Sequence, residues 1–193
     1  MIVSLFDKAF KLLEGAPKDG CFVEFGVYKG DSLKQTIELA QRRLGDNISF
    51  YGFDTFEGLP QTKKPLSGAL KKFWAKNMFG DTDIKDVKKL LTAIRPTPKV
   101  RLVKSLFSDI KSLRQYGINK IRFAYLDTDI YEGYSDALRL ITPHIQPGTV
   151  IIFDELIPPF DPDFNESVRR HGMKAVREWE SESDVNLQIV CWQ

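Results

Sequence analysis

Cysteine is scarce: Cys21 and Cys191 are the two among 193 residues, which excludes a disulfide framework or a thiolate zinc site and makes a reducing cytosol the expected setting. No apolar run approaches the roughly 18 residues of a membrane span, so no membrane partner is expected. The opening segment from Met1 to Glu14 interleaves Leu5, Phe6, Phe10 and Leu13 with Asp7, Lys8 and Lys11. It reads as an amphipathic helix within the first 19 residues, without the unbroken apolar centre of an export signal. Charge of one sign is also missing. Lys and Arg number 28 against 26 Asp and Glu, too even a balance to imply nucleic acid, and the Lys63-Lys64 and Lys71-Lys72 pairs read as a solvated face. Neither G-x-G-x-x-G nor G-x-x-x-x-G-K-[ST] occurs, which removes the two common signatures for a dinucleotide or triphosphate.

What is present is an alternation of short apolar runs with helical patterns. Strands are expected at Cys21–Phe25, Ile48–Asp54, Val100–Val103, Ile121–Asp127 and Thr149–Asp154, with a last one over Val185–Trp192. Helices are expected at Ser32–Leu44, Asp83–Ile94, Ser105–Tyr116, Tyr134–Ile141 and from Asn165 or Ser167 to about Glu180. Near-continuous apolar strands separated by helices predict an α/β fold of Rossmann-like type, a mostly parallel sheet covered on both faces, in one domain spanning 1–193. Residues 55–80 lose this regularity and read as either a lid over an acceptor or a disordered connection, with Phe73 and Trp74 either walling an acceptor site or packing in the core.

The junction Cys21-Phe22-Val23-Glu24-Phe25-Gly26-Val27-Tyr28-Lys29-Gly30-Asp31-Ser32 reads as strand, tight turn and helix. Ligands in open α/β sheets sit at such carboxyl ends, where glycine lets them approach the backbone. With the pyrophosphate glycines missing, the expected ligand is a nucleoside cofactor without a pyrophosphate. Asp54, 24 residues after Gly30, stands near the offset of about 20 at which an acid reaches a ribose hydroxyl. The fourth and fifth strands also end in acids, Asp127 with Asp129 close by, and Asp154 followed by Glu155. Carboxylates from adjacent strand ends converge, and hard oxygens of this kind suit Mg²⁺ or Ca²⁺. Asp129 could instead start the helix that follows. His144 is expected on the surface, and His171 on a helix facing the pocket.

Four blocks also carry a likeness: Glu24-Phe25-Gly26-Val27-Tyr28-Lys29-Gly30, Gly52-Phe53-Asp54-Thr55-Phe56-Glu57-Gly58-Leu59-Pro60, Leu126-Asp127-Thr128-Asp129-Ile130-Tyr131-Glu132, and Pro147-Gly148-Thr149-Val150-Ile151-Ile152-Phe153-Asp154-Glu155. Together they resemble the macrocin O-methyltransferases, S-adenosylmethionine-dependent, metal-assisted enzymes that methylate sugar hydroxyls. The resemblance implies the class I methyltransferase form of the Rossmann-like fold. It places Glu24, Phe25, Gly26, Val27, Gly30 and Ser32 at the methionine end of the cofactor and Asp54 with Thr55 at its ribose. Ser105, Leu106 and Phe107 would lie near the adenine, and Asp127 would border the cofactor while ligating Mg²⁺ with Asp154 and Glu155. The chain departs from the usual family pattern at Glu155, Ser105 and Thr128, where Asp, Gly and Gly are commoner.

The reaction implied is an in-line displacement in which an acceptor hydroxyl, held by the metal, attacks the sulfonium methyl. Asp127, Asp129 and His171 are the candidates to take the proton. The acceptor is expected to be a sugar or glycosylated small molecule. A catechol-like phenol is the alternative enzyme reading, and a cofactor-binding module that has lost catalysis is the alternative outside enzymes. Homo-oligomer formation is left open.

Overall fold

The computed structural model describes residues 5–60, 78–154 and 172–188. Its centre is a sheet of five strands: β1 Cys21–Phe25, β2 Ser49–Asp54, β3 Lys99–Lys104, β4 Ile121–Leu126 and β5 Val150–Phe153. Their spatial order is β3-β2-β1-β4-β5, and every neighbouring pair is parallel. The two central strands, β1 and β4, are buried at every residue. That is why their sequences are continuous apolar runs instead of alternations.

Helices α1 (Leu5–Gly15), α2 (Asp31–Leu44) and α3 (Ile84–Thr92) cover one face; α4 (Tyr131–Ile141) and α5 (Lys174–Glu182) cover the other. Successive strand residues point to opposite faces, so the sheet carries two separate apolar layers. In the first, Phe10 and Leu13 of α1, Leu33 and Ile37 of α2, and Val87 and Leu91 of α3 pack on Phe22, Phe50 and Phe123. The strand rings meet at 5.5 Å for Phe22–Phe50 and 5.1 Å for Phe22–Phe123. In the second layer Val23, Phe25, Ala124 and Leu126 face Ala137, Leu138 and Ile141 of α4 and Ala175, Val176 and Trp179 of α5. Tyr131 Oη donates to Glu178 at 2.5 Å and Trp179 Nε1 to Thr142 Oγ1 at 2.7 Å, locking α5 onto α4.

Three expectations differ from the structure. The helix expected over Ser105–Tyr116 is two 3₁₀ turns, Phe107–Asp109 and Leu113–Tyr116. Ser112 Oγ accepts the Arg114 amide at 3.2 Å, so the serine restarts the chain instead of continuing a helix. His144 is buried rather than on the surface, in a 3₁₀ turn at Thr142–His144 with Nδ1 3.3 Å from the Asn119 carbonyl oxygen. Residues 185–188 form no strand; the rest of the expected Val185–Trp192 strand, the start of the last helix, and Phe73 and Trp74 lie outside the described residues. Among the described residues no helix is long and apolar enough to cross a membrane.

Candidate active site

The chain winds from β1 through α2 to β2 and through α3 to β3 on one face, then returns past β1 to β4 and on to β5 across the other. The reversal lies between β1 and β4, where an open parallel sheet parts at its carboxyl edge. A cavity of about 290 Å³ occupies that place. It takes Gly26 and Tyr28 from the loop after β1, Asp54, Thr55, Gly58, Leu59 and Pro60 from that after β2, and Leu106 and Phe107 from that after β3. Asp127, Thr128, Asp129 and Ile130 follow β4, Asp154 follows β5, and Phe79 and Gly133 complete the wall.

Four of these side chains are aspartates, and none of the described lining residues is Lys, Arg or His. Such a wall repels phosphate and favours a cation. Asp54 Oδ2 accepts the amides of Val27 at 2.7 Å and Tyr28 at 2.9 Å, while Oδ1 accepts that of Phe56 at 2.7 Å. One carboxylate thus fastens the first loop to the second.

The two loop glycines have causes within the protein. Gly26 has φ 86°, and a Cβ there would lie 1.7 Å from the Asp127 carbonyl oxygen; at Gly30, φ 87°, it would lie 2.8 Å from Val87 Cγ1. Backbone approach at the end of β4 and packing against α3 therefore require them.

Beneath the cavity Glu24 is buried, its Oε1 accepting Ser32 Oγ at 2.6 Å and its Oε2 lacking a hydrogen-bond partner among the described residues. Burial pushes its pKa up to about 8; the Ser32 hydrogen bond works against this, and the negative charges of Asp54 and Asp154 add to it. The acid is thus mostly neutral at pH 7. Burial likewise raises Asp154, opposed by hydrogen bonding with Tyr125 and Asp127. Tyr134 Oη donates to the Asp154 carbonyl oxygen and fixes that backbone.

Backbone strain gathers here too. Among the described residues, the non-glycine ones at positive φ are Tyr28, Phe56, Phe79 and Asp129, at 47°, 52°, 62° and 57°. Three line the cavity and Phe56 follows a residue that does, a concentration typical of functional sites. The N-cap position of α4 is Ile130, one residue past Asp129.

The residues singled out from sequence divide into three groups. Gly26, Asp54, Thr55, Leu106, Phe107, Asp127, Asp129 and Asp154 meet at the cavity. Glu24, Phe25, Val27, Gly30, Ser32 and Ser105 are not in its wall: Phe25 is stacked on Phe53 at 4.8 Å in the core, and the Ser105 amide donates to the Asp54 carbonyl oxygen at 2.9 Å. Glu155 and His171 lie outside the described residues, among which no group of three metal-ligating side chains is assembled. Tyr28, Gly58, Leu59, Pro60, Phe79, Thr128, Ile130 and Gly133 are the described wall residues that strand-end reasoning missed. An aromatic residue set between two turn glycines was the signal for Tyr28; Phe79 carried none.

A parallel sheet of this order, with an acid-walled cleft at its reversal, defines a Rossmann-like α/β protein, the fold shared by the S-adenosylmethionine-dependent methyltransferases. The profile of the macrocin-O-methyltransferase (TylF) family matches residues 8–173, and the chain belongs to that family. It is an O-methyltransferase whose methyl donor is S-adenosylmethionine. No curated protein sequence matches it. Its fold is that of the O-methyltransferase NovP, at 19% identity over 93% of this chain and 72% of that one, with a TM-score of 0.69. It is also that of the calicheamicin methyltransferase CalS11, at 23% identity over 88% and 70%, with a TM-score of 0.61. An rRNA methylase from Streptococcus thermophilus shares the fold at 13% identity over 95% and 82%, with a TM-score of 0.51.

Proposed function

We propose that the protein methylates a hydroxyl of a sugar or glycosylated small molecule with the assistance of Mg²⁺. Four aspartates in one cavity at the strand reversal, in a chain of this family, carry the reading. Asp127 and Asp154 follow adjacent strands and interact with each other, so two carboxylates crowd where a divalent cation relieves their repulsion. They would hold the ion together with Glu155. When bound, S-adenosylmethionine supplies the methyl group and the cation supplies charge that eases ionisation of the acceptor hydroxyl.

Asp54 orients the β1 loop beside the ribose position, and Leu106 and Phe107 offer apolar surface to the adenine. Asp129, placed in the cavity wall by a left-handed backbone, is the base that accepts the acceptor's proton. The bond made joins the acceptor oxygen to the methyl carbon, the carbon–sulfur bond breaks, and the sulfur keeps that electron pair. We place the reaction in the cytosol, where the buried free thiol of Cys21 stays reduced.

Calorimetry with S-adenosylhomocysteine, with and without Mg²⁺, followed by methyl transfer to a panel of sugar diols, tests this reading. Asp154→Ala should keep cofactor affinity within about threefold while turnover falls by at least about 100-fold, the scale of losing one electrostatic group at a reacting centre. Full turnover in that variant, or turnover undiminished by chelator, would refute the metal role.

A further inference from the structure

Beyond the strand-end acids, a group of side chains at the cavity mouth has no part in the chemistry described above. Tyr28, in the loop after β1, is held at four points. Its amide donates to Asp54 Oδ2 at 2.9 Å, its hydroxyl donates to Asp81 Oδ1 at 2.9 Å, its ring meets Phe79 edge-on at 5.3 Å and 71°, and Lys29 Nζ stands 4.8 Å from its ring centroid. Lys29 Nζ in turn donates to Asp81 Oδ2 at 2.9 Å. Each oxygen of one carboxylate therefore takes a donor from the opposite loop. Asp81 itself is not part of the cavity wall, whereas Tyr28 and Phe79 are.

Both aromatic residues have left-handed backbones, which bulky side chains adopt only when their surroundings insist. With the carboxylate removed, the Tyr28 ring is left with the Phe79 edge and a lysine that itself has lost its anchor. A single exposed ion pair is weak. Its influence here comes from what it holds still: a wall preset in shape spares a ligand the ordering of that wall on binding.

We propose that Asp81 is a positioning residue, which by receiving the Tyr28 hydroxyl and the Lys29 ammonium presets the aromatic wall at the cavity mouth and so sets the affinity for S-adenosylmethionine. The inference rests on the cavity being the cofactor site.

Calorimetry with S-adenosylhomocysteine on the full chain, paired with turnover at saturating donor, is the test. Asp81→Ala should weaken binding about tenfold, the scale of one hydrogen bond to a charged group, with kcat within about twofold and the melting temperature unmoved. Tyr28→Phe, which keeps the ring and the Lys29–Asp81 pair but loses the hydroxyl, should lose about threefold, the scale of an ordinary exposed hydrogen bond, and Asp81→Glu should recover much of the alanine loss. Wild-type protein that fails to bind would sink the cofactor reading itself. Wild-type binding with Asp81→Ala and Tyr28→Phe equally tight would overturn the positioning role alone, as would a loss in kcat and melting temperature without a loss in affinity.

Discussion

Glu24 is a carboxyl whose chemistry is set far from its ordinary value by where the chain puts it. Its side chain shares a face of β1 with Phe22, and the Ser32 hydroxyl at the head of α2 satisfies one oxygen only. Its pKa rises from 4.5 unfolded to about 8 folded. Between those values the unfolded chain has released a proton that the folded chain retains, so stability falls as pH rises through that window, by up to about 1.4 kcal/mol per pH unit. Below pH 4.5 the penalty is absent, and above 8 it is fully present. Glu24→Gln, neutral throughout, should therefore gain on the wild type steadily from pH 5 to pH 8 in urea denaturation. Parallel stability curves would show that the carboxyl is not the titrating group. At this scale the sequence disclosed the acids at strand ends, because an Asp closing an apolar run can face little else than the crevice. It did not disclose the crowding at Gly26 and Gly30, because the Asp127 carbonyl oxygen and the Val87 methyl group that meet them come from parts of the chain over 50 residues away.

Among the elements, α1 shows how amphipathic patterning becomes attachment. Phe10 is fully buried, with its ring 6.1 Å from Phe22 and 5.9 Å from Phe123, whereas Leu12 on the outer side is 42% exposed. Phe10→Ala should cost about 3–5 kcal/mol and Leu12→Ala less than about 0.5 kcal/mol. Equal losses in chemical denaturation would mean that the helix docks by another face. Arg122 reinforces the seat, reaching from β4 to donate to the Leu13 carbonyl oxygen at 2.6 Å. Helices with a one-sided apolar stripe were legible because that stripe follows the helical repeat. The stretch from Ser105 to Tyr116 was not. Its apolar residues are spaced compatibly with a helix, but the Ser112 hydroxyl bonds locally and Gly117, at φ 85°, closes the second turn.

At the scale of the whole molecule, the parallel sheet makes one layer of chemistry out of residues that are remote in sequence. Asp54, Phe107, Asp127 and Asp154 reach the same cavity because each directly follows a parallel strand or lies a few residues past one. A cofactor seated there would touch both helical layers through the strand ends that join them. S-adenosylhomocysteine at 100 times its dissociation constant should therefore stabilise the entire chain by about 2.7 kcal/mol, visible as one cooperative melting transition displaced upward. A biphasic melt with one unmoved phase would show that the layers unfold independently. The sheet and its strand-end acids were open to reading because strand order hardly alters which residues end a strand. The aromatic wall was not, since Phe79 joins Tyr28 only after the chain has left the second strand and come back.

The chain's tolerance of added length follows from one backbone bond. The Leu59 amide donates to the Met78 carbonyl oxygen at 2.9 Å, so two residues distant in sequence are tied together beside the cavity, which Leu59 lines. Where the ends of a stretch are already held, the entropic cost of lengthening it grows only with the logarithm of its length. The framework around the cavity should therefore accept a change in the number of residues between Leu59 and Met78 with little loss of stability, whereas one inserted within a strand would turn every side chain beyond it to the opposite face.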